Sequence, residues 1–182
     1  TEYSGFNVTS PYKRTVIPFL DELTPEAEAL QAVNTIRRLG NGRLVGHNTD
    51  VYGFEKLAKE KRIRGRKVLV LGTGGASSAI CQALRNLGAK EIIRVSRNRR
   101  PEPDCCTYDE LNRHSDAQVI VNSTPIGMYP NNGHSPLDGC SVKWTDFQQL
   151  ETALDAIYNP YRTKFLMDAE EAGAEVESGL AM

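Results

Sequence analysis

Lys67-Val68-Leu69-Val70-Leu71-Gly72-Thr73-Gly74-Gly75-Ala76 is an uninterrupted apolar run that breaks into glycines. A continuous run, rather than an alternating one, is expected of a strand covered on both faces by helices. The glycines then supply a tight turn into a helix. Gly72 permits the turn, Gly74 lets a phosphate approach the backbone, and Ala76 and Ser77 are small enough for close helix–strand packing. The spacing departs from G-x-G-x-x-G, since Ser77 holds the third position and Gly75 is additional. A glycine turn that serves packing alone is the competing reading.

Outward from this turn the chain alternates. A helix is expected from 76 to 87, with Gly88 past its end. Strands follow at 91–96, 118–122 and 154–158. Thr107-Tyr108-Asp109-Glu110 reads as a capping box for a short helix. A last helix is expected over 161–172, closed by Gly173. Strands and helices alternating at this length imply an α/β fold with a doubly wound parallel sheet of Rossmann type. The second strand ends Val95-Ser96-Arg97-Asn98-Arg99-Arg100. An NAD site usually places a carboxylate there, whereas guanidiniums suit a 2′-phosphate, so NADP is the expected cofactor. A solvated basic turn is the alternative.

Before Gly65 the pattern differs. Residues 5–9 read as a strand end. Ser10-Pro11 reads as an N-cap with proline at the first helical position, opening a short helix to about 20. Thr24-Pro25 repeats the signature before Glu26 and Glu28. Residues 32–38 and 43–46 form an expected hairpin around Gly40-Asn41-Gly42. A helix is expected over 49–61, with Val51, Phe54, Leu57 and Ala58 at helical spacing. The boundary is drawn at this helix, giving a first domain over 1–52 and a second, NADP-binding domain over 53–182. Trp144 and Asn131-Asn132-Gly133 are expected in a surface insertion after Met128.

Composition excludes several classes. The chain has 182 residues, 40% hydrophobic and 25% charged, with a formal net charge of −1. No basic field points to nucleic acid or an anionic membrane. No apolar run approaches the roughly 20 residues that span a bilayer. Cys81, Cys105, Cys106 and Cys140, and His47, His114 and His134, lack metal-ligand spacing, so no metal is expected. Reduced thiols suggest a cytoplasmic protein.

The polar residues of the first half suit a polyhydroxylated small molecule: Asn7, Thr9, Lys13, Asn34, Thr35, Asn48 and Asp50 end short apolar runs. Lys13 can exchange a proton with a carbonyl oxygen, and Asp50 can pair with it. Each has a plainer reading, Lys13 as an exposed lysine, Asp50 as a helix N-cap, Asn34 and Asn7 as turn residues.

Six motifs in order decide between these readings. The chain resembles the shikimate dehydrogenase family over nearly its whole length. Asn7-Val8-Thr9-Ser10-Pro11-Tyr12-Lys13 is similar to N-V-T-x-P-[FY]-K. Ala32-Val33-Asn34-Thr35 and Gly46-His47-Asn48-Thr49-Asp50 through Phe54 resemble A-V-N-T and G-x-N-T-D-x-x-G-F. Leu71 to Ala76 resembles L-G-x-G-G-A. Asn122 to Met128 resembles N-x-T-P-x-G-M, and Asp155 to Thr163 resembles D-x-x-Y-x-P-x-x-T. The resemblance implies Lys13 and Asp50 as the catalytic pair, and Thr9, Asn34 and Tyr158 on or beside the ring hydroxyls. It implies Gly72, Thr73, Gly74, Gly75 and Ala76 at the pyrophosphate, and Ser96-Arg97 at the 2′-phosphate. It implies that Thr124, Met128 and Gly179 line the cofactor. It implies reversible NADPH-dependent reduction of 3-dehydroshikimate to shikimate, on the route to chorismate and the aromatic amino acids. A quinate-oxidising variant and a non-catalytic NADP-binding module stand as alternatives.

The departures from the pattern also carry expectations. The family's Ser-x-Ser unit, which binds the substrate carboxylate, and its C-terminal glutamine helix are missing from this sequence. The 1–52 domain, which the resemblance makes the substrate-binding and catalytic one, is therefore expected to be incomplete, with an open edge at residues 5–9, so that the chain alone self-associates or has a poorly ordered first fifty residues. Gln31 stands where the family often has a small residue such as glycine.

Overall fold

Residues 3–9 and 11–182 are described by the structure, a computed structural model. The chain divides into two compact units, Thr1–Val51 and Tyr52–Met182.

The first unit holds β1 (Gly5–Asn7), β2 (Glu22–Leu23), α1 (Pro25–Leu30), β3 (Thr35–Arg38) and β4 (Leu44–His47). The strands form one sheet in the order β1-β3-β4-β2, antiparallel except for the parallel β2/β4 pair. The hairpin closes as expected, with Gly42 in the left-handed region at φ 85°. The Thr24 hydroxyl caps α1 by accepting from the Ala27 N–H at 3.4 Å. α1 ends on Gln31 at φ 49°, the sole non-glycine residue with positive φ among those described. Glycine occupies such a conformation without strain, which accounts for the small residue the family often has there. Ala27, Val33 and Ile36 form the buried centre of this unit. Gly46 lies against it so closely that a Cβ would come within 2.6–2.8 Å of Leu20, Leu23 and Val33 side-chain atoms.

The helix expected over 10–20 does not form. Ser10 lies outside the described residues, and 11–16 are successive turns leading into a 3-10 helix at Ile17–Phe19. Pro18 explains the failure, because it has no N–H to donate and its ring clashes with the carbonyl four residues back. Too few residues precede it for a stable α-helix.

α2 (Asp50–Ala58) buries Val51, Phe54, Leu57 and Ala58. The second unit then continues with β5 (Lys67–Leu71), α3 (Gly75–Asn86), β6 (Glu91–Ser96), β7 (Cys105–Thr107), β8 (Val119–Asn122), β9 (Thr152–Asp155), α4 (Lys164–Glu171) and β10 (Glu175–Glu177). All six strands run parallel in the order β10-β9-β8-β5-β6-β7. Counted along this unit alone, that is the 3-2-1-4-5-6 order of the Rossmann fold. Four residues of β5 and all of β8 and β9 are buried.

Several elements differ from expectation. The fourth expected strand, 154–158, sits at Thr152–Asp155. The chain turns out of the sheet afterwards because the Ile157 N–H donates to the Asp155 carboxylate at 3.0 Å. The capping box at Thr107 and Glu110 is intact, but the helix it opens, Tyr108–His114, is 3-10. The short edge strands β7 and β10 carry too few apolar residues to stand out in the sequence. Trp144 is not on a surface insertion. It packs on Phe165 at 5.2 Å between ring centroids, beside buried Leu137, Val142 and Phe147.

Candidate functional site

In the first unit the Lys13 ammonium meets the Asp50 carboxylate, Nζ to Oδ2, at 2.6 Å, with side chains only 19% and 14% exposed. The other carboxylate oxygen accepts from Asn34 Nδ2 at 2.7 Å. Asn34 also donates to the Thr49 hydroxyl at 3.0 Å and accepts from the Thr49 N–H at 3.0 Å. Behind them Asn48 is buried. Its Oδ1 accepts from the Asp50 N–H at 3.0 Å and its Nδ2 donates to the Ala32 carbonyl at 3.0 Å.

This arrangement removes the plain reading of Asp50 as an N-cap. Asn48 satisfies the first-turn N–H, and Asp50 is the first residue of α2 with its carboxylate engaged by Lys13 and Asn34. Lys13 itself is placed by backbone contacts, its carbonyl accepting from the Val33 N–H at 2.7 Å. The ammonium has further N–H groups to offer an incoming oxygen. Thr9 is exposed one residue after Val8, whose N–H donates to the Asn34 carbonyl at 2.7 Å. Asp50 is therefore in direct contact with both Lys13 and Asn34, and Thr9 follows the residue that bonds the Asn34 backbone. Tyr158 belongs to the second unit and is 65% exposed. The sequence reading counts Asn48 only as one of several polar pocket residues and gives Thr49 no role, although both stand inside the N-T-D run.

In the second unit a cleft of about 1180 Å³ opens at the carboxyl ends of β5, β6 and β8, where the strand order reverses. Ligands of such sheets bind at this switch point. Gly72, Thr73 and Gly74 line it, with Ser96 ending β6, Arg97 just past it and Thr124 after β8. Gly72 has φ 105°, and a Cβ there would stand 2.9 Å from both Ser123 Oγ and Thr124 Cγ2. Around Gly74 and Gly75 a Cβ would meet nothing within 4 Å. The open space beside these two residues, and the first turn of α3, which Gly74 caps without a side-chain bond, suit a pyrophosphate received by backbone N–H groups.

The arginines after β6 have distinct surroundings. Arg100 donates to Ser96 Oγ at 3.3 Å, and Arg99 lies 3.8 Å from Glu110. Arg97 has no ion pair among the described residues and lines the cleft. Tyr108 lines it as a neutral phenol, its pKa pushed up to about 12 by burial. Met128 is partly exposed on the segment after β8, and Ala76 lies in the first turn of α3. Gly179 is buried with its N–H donating to the Ile157 carbonyl at 2.9 Å, and a Cβ on it would collide with the Ala156 carbonyl.

A buried polar chain lies behind the cleft wall. Asn122 and Asp155 are paired in register at the ends of β8 and β9, both with no exposed surface. Asn122 Nδ2 donates to Asp155 Oδ1 at 3.0 Å, and the Thr163 hydroxyl donates to Asp155 Oδ2 at 2.6 Å. Burial pushes the Asp155 carboxyl up to about 6. The sequence reading gave these three residues no role. The available signal was a polar side chain ending each of two apolar strands.

Among the described residues, no three His, Cys, Asp or Glu side chains group as metal ligands, and no helix is long and apolar enough to cross a membrane. A parallel Rossmann sheet with an open glycine turn at its switch point defines a dinucleotide-binding α/β protein. Comparison with known proteins narrows the class. Residues 1–36 match the family model of the shikimate dehydrogenase substrate binding domain. The chain is 39% identical over 98% of its length to the NADP(+) shikimate dehydrogenase of Caldanaerobacter subterraneus subsp. tengcongensis, covering 67% of that protein. Its fold matches the chorismate mutase/shikimate 5-dehydrogenase fusion protein of Clostridium acetobutylicum with a TM-score of 0.85 at 38% identity, over 97% of this chain and 65% of that one. It also matches Thermus thermophilus shikimate 5-dehydrogenase, solved with NADP(H) and shikimate, with a TM-score of 0.80 at 32% identity, over 98% and 68% of the two chains. This chain belongs to the shikimate dehydrogenase family. It spans about two thirds of the length of these relatives.

Proposed function

We propose that this chain carries the NADP site and the catalytic pair of a shikimate dehydrogenase, which reversibly reduces 3-dehydroshikimate to shikimate. The 2.6 Å contact between Lys13 and Asp50, with Asn34 on the second carboxylate oxygen, carries the reading. NADPH, when bound, supplies the hydride. Lys13 Nζ donates a proton to the ketone oxygen as that oxygen gains charge, and takes it back in the oxidative direction. Asp50 orients the ammonium, and Asn34 orients Asp50. Thr9, Asn34 and Tyr158 hydrogen-bond the ring hydroxyls. Gly72 to Ala76 receive the pyrophosphate, Arg97 binds the 2′-phosphate, and Thr124, Met128 and Gly179 flank the rest of the dinucleotide.

The test is the appearance of NADPH absorbance on mixing the full-length protein with NADP and shikimate. Turnover with shikimate supports the reading. NADP binding without turnover would instead make the chain a binding module, and preferential turnover of quinate would move it to the quinate-oxidising variant. The four free thiols support a reducing compartment, the cytoplasm.

Self-association of the isolated chain belongs to the same reading. Among the described residues β1 pairs on one side only, with β3, and Phe6 on it and Tyr3 just before it are exposed. An uncovered strand edge with aromatic side chains pairs readily with a second copy. Sedimentation of the 182-residue chain as a monomer at all concentrations would count against this.

A further inference from the structure

The segment after β8 is wound around one amide. Asn122 Oδ1 accepts from the Thr124 N–H at 2.9 Å and from the Thr124 hydroxyl at 2.7 Å. Asn122 Nδ2 donates to the Ile126 carbonyl at 3.2 Å as well as to Asp155. The Thr124 hydroxyl in turn accepts from the Ile126 N–H at 3.2 Å. With its hydroxyl drawn inward, Thr124 presents its methyl to Gly72.

An amide turned end for end occupies nearly the same space, so shape alone does not fix Asn122. Asp155 does. A carboxylate only accepts, and its Oδ1 takes the Asn122 Nδ2 and the Ile157 N–H while its Oδ2 takes the Thr163 hydroxyl. With the amide reversed, oxygen would face oxygen at buried Asp155, and N–H would face N–H at partly buried Thr124. Each unsatisfied group costs roughly 1–3 kcal/mol. Asp155 thus selects one orientation of Asn122, and that orientation shapes the loop whose Thr124, Pro125 and Ile126 line the cleft.

We propose that Asp155 and Asn122 are a positioning pair for the dinucleotide, holding this wall of the cleft in the shape that receives NADP. The inference rests on the cleft being the NADP site. Neither residue needs to touch the cofactor.

The test compares Asp155→Val, Asp155→Asn and Thr124→Val in the full-length protein. NADP affinity is measured by calorimetry at a temperature where each variant is folded, and amide hydrogen exchange is followed over residues 123–126. Asp155→Asn keeps an oxygen toward Asn122 and turns its NH₂ to the Thr163 oxygen, so affinity stays within about threefold of the unmodified protein. Asp155→Val weakens NADP about tenfold and exposes the Thr124 and Ile126 amides to exchange, since the loss of one well-made buried bond is of that order. Thr124→Val keeps the methyl and loses the hydroxyl, and weakens NADP about threefold to tenfold. It tests the same link from the loop side if Asp155→Val does not fold. A merely structural role would lower the melting temperature of the valine variants and leave both readouts unchanged, which overturns the proposal. Failure of the unmodified protein to bind NADP overturns the cofactor reading together with it. Equal binding by the unmodified protein and the valine variants overturns this inference alone.

Discussion

Asp155→Asn should make the protein more stable near neutral pH and less so in acid, relative to the unmodified chain. Asp155 has no exposed surface, and the groups that hold it, a hydroxyl, a peptide N–H and an amide, are neutral. Burial raises its pKa from 3.8 to about 6. The folded state therefore takes up a proton that the unfolded chain releases. Above about pH 6 the buried charge opposes folding by the full displacement, roughly 3 kcal/mol, and the penalty disappears as pH falls toward about 4. Other carboxylates act in the opposite sense. Arg94 beside Asp104, Lys67 beside Asp116 and Lys164 beside Asp138 hold those groups below the usual range, so their stabilisation is lost in acid. The difference between variant and unmodified protein cancels these and isolates Asp155. Urea unfolding followed by Trp144 fluorescence is a suitable assay, because this single tryptophan packs on Phe165 in the core of the same unit. The stability difference should shrink by roughly 2 kcal/mol between about pH 7.5 and about pH 4.5. A difference constant to within ~0.5 kcal/mol would refute the reasoning, since the amide carries none of the titration assigned to the carboxylate.

Lys13→Ala in the full-length protein should lower turnover by about 10²–10⁴ with NADP affinity little changed. Turnover within a few-fold of normal would remove Lys13 from proton transfer. The unmodified protein should bind NADP at least about tenfold more tightly than NAD, and Arg97→Ala should remove most of that preference, as calorimetry with both cofactors would show. Gln31→Gly relieves a left-handed backbone, at φ 49°, in a residue with a Cβ. Set against the greater freedom of glycine in the unfolded chain, a net gain of about 0.5–1 kcal/mol is expected, and a lowered melting temperature would contradict it.

The second unit was legible wherever a strand is a continuous apolar run. Val68 to Leu71 and Val119 to Val121 announce themselves because both faces of each strand are covered. β7 and β10 did not, because edge strands of three residues carry little apolar signal. The failed helix at 11–16 shows a local conflict. Pro11 suits a helix start, but Pro18 forbids its continuation, and the turns that result place Lys13. The Lys13 and Asp50 contact could be expected from motif order but not from spacing, since 37 residues separate them. Asn122 and Asp155 stand within two of the motifs but carry no local sign of a role. Their partnership depends on β8 and β9 lying side by side in register, which sheet topology decides and no local pattern announces.

The strand order of the larger sheet has a consequence for how the molecule is made. β5 is both the first strand of this sheet in the chain and an interior one, and every later strand joins an edge that already exists. β6 and β7 extend one side, and β8, β9 and β10 extend the other. A chain leaving the ribosome can therefore lay the sheet down outward from its middle, without threading a late strand between two early ones. The glycine turn emerges early, but the loop opposite it gains its anchoring acid only once residue 155 has been synthesised. A polypeptide halted between β8 and β9 would have the floor of the cleft without a fixed wall.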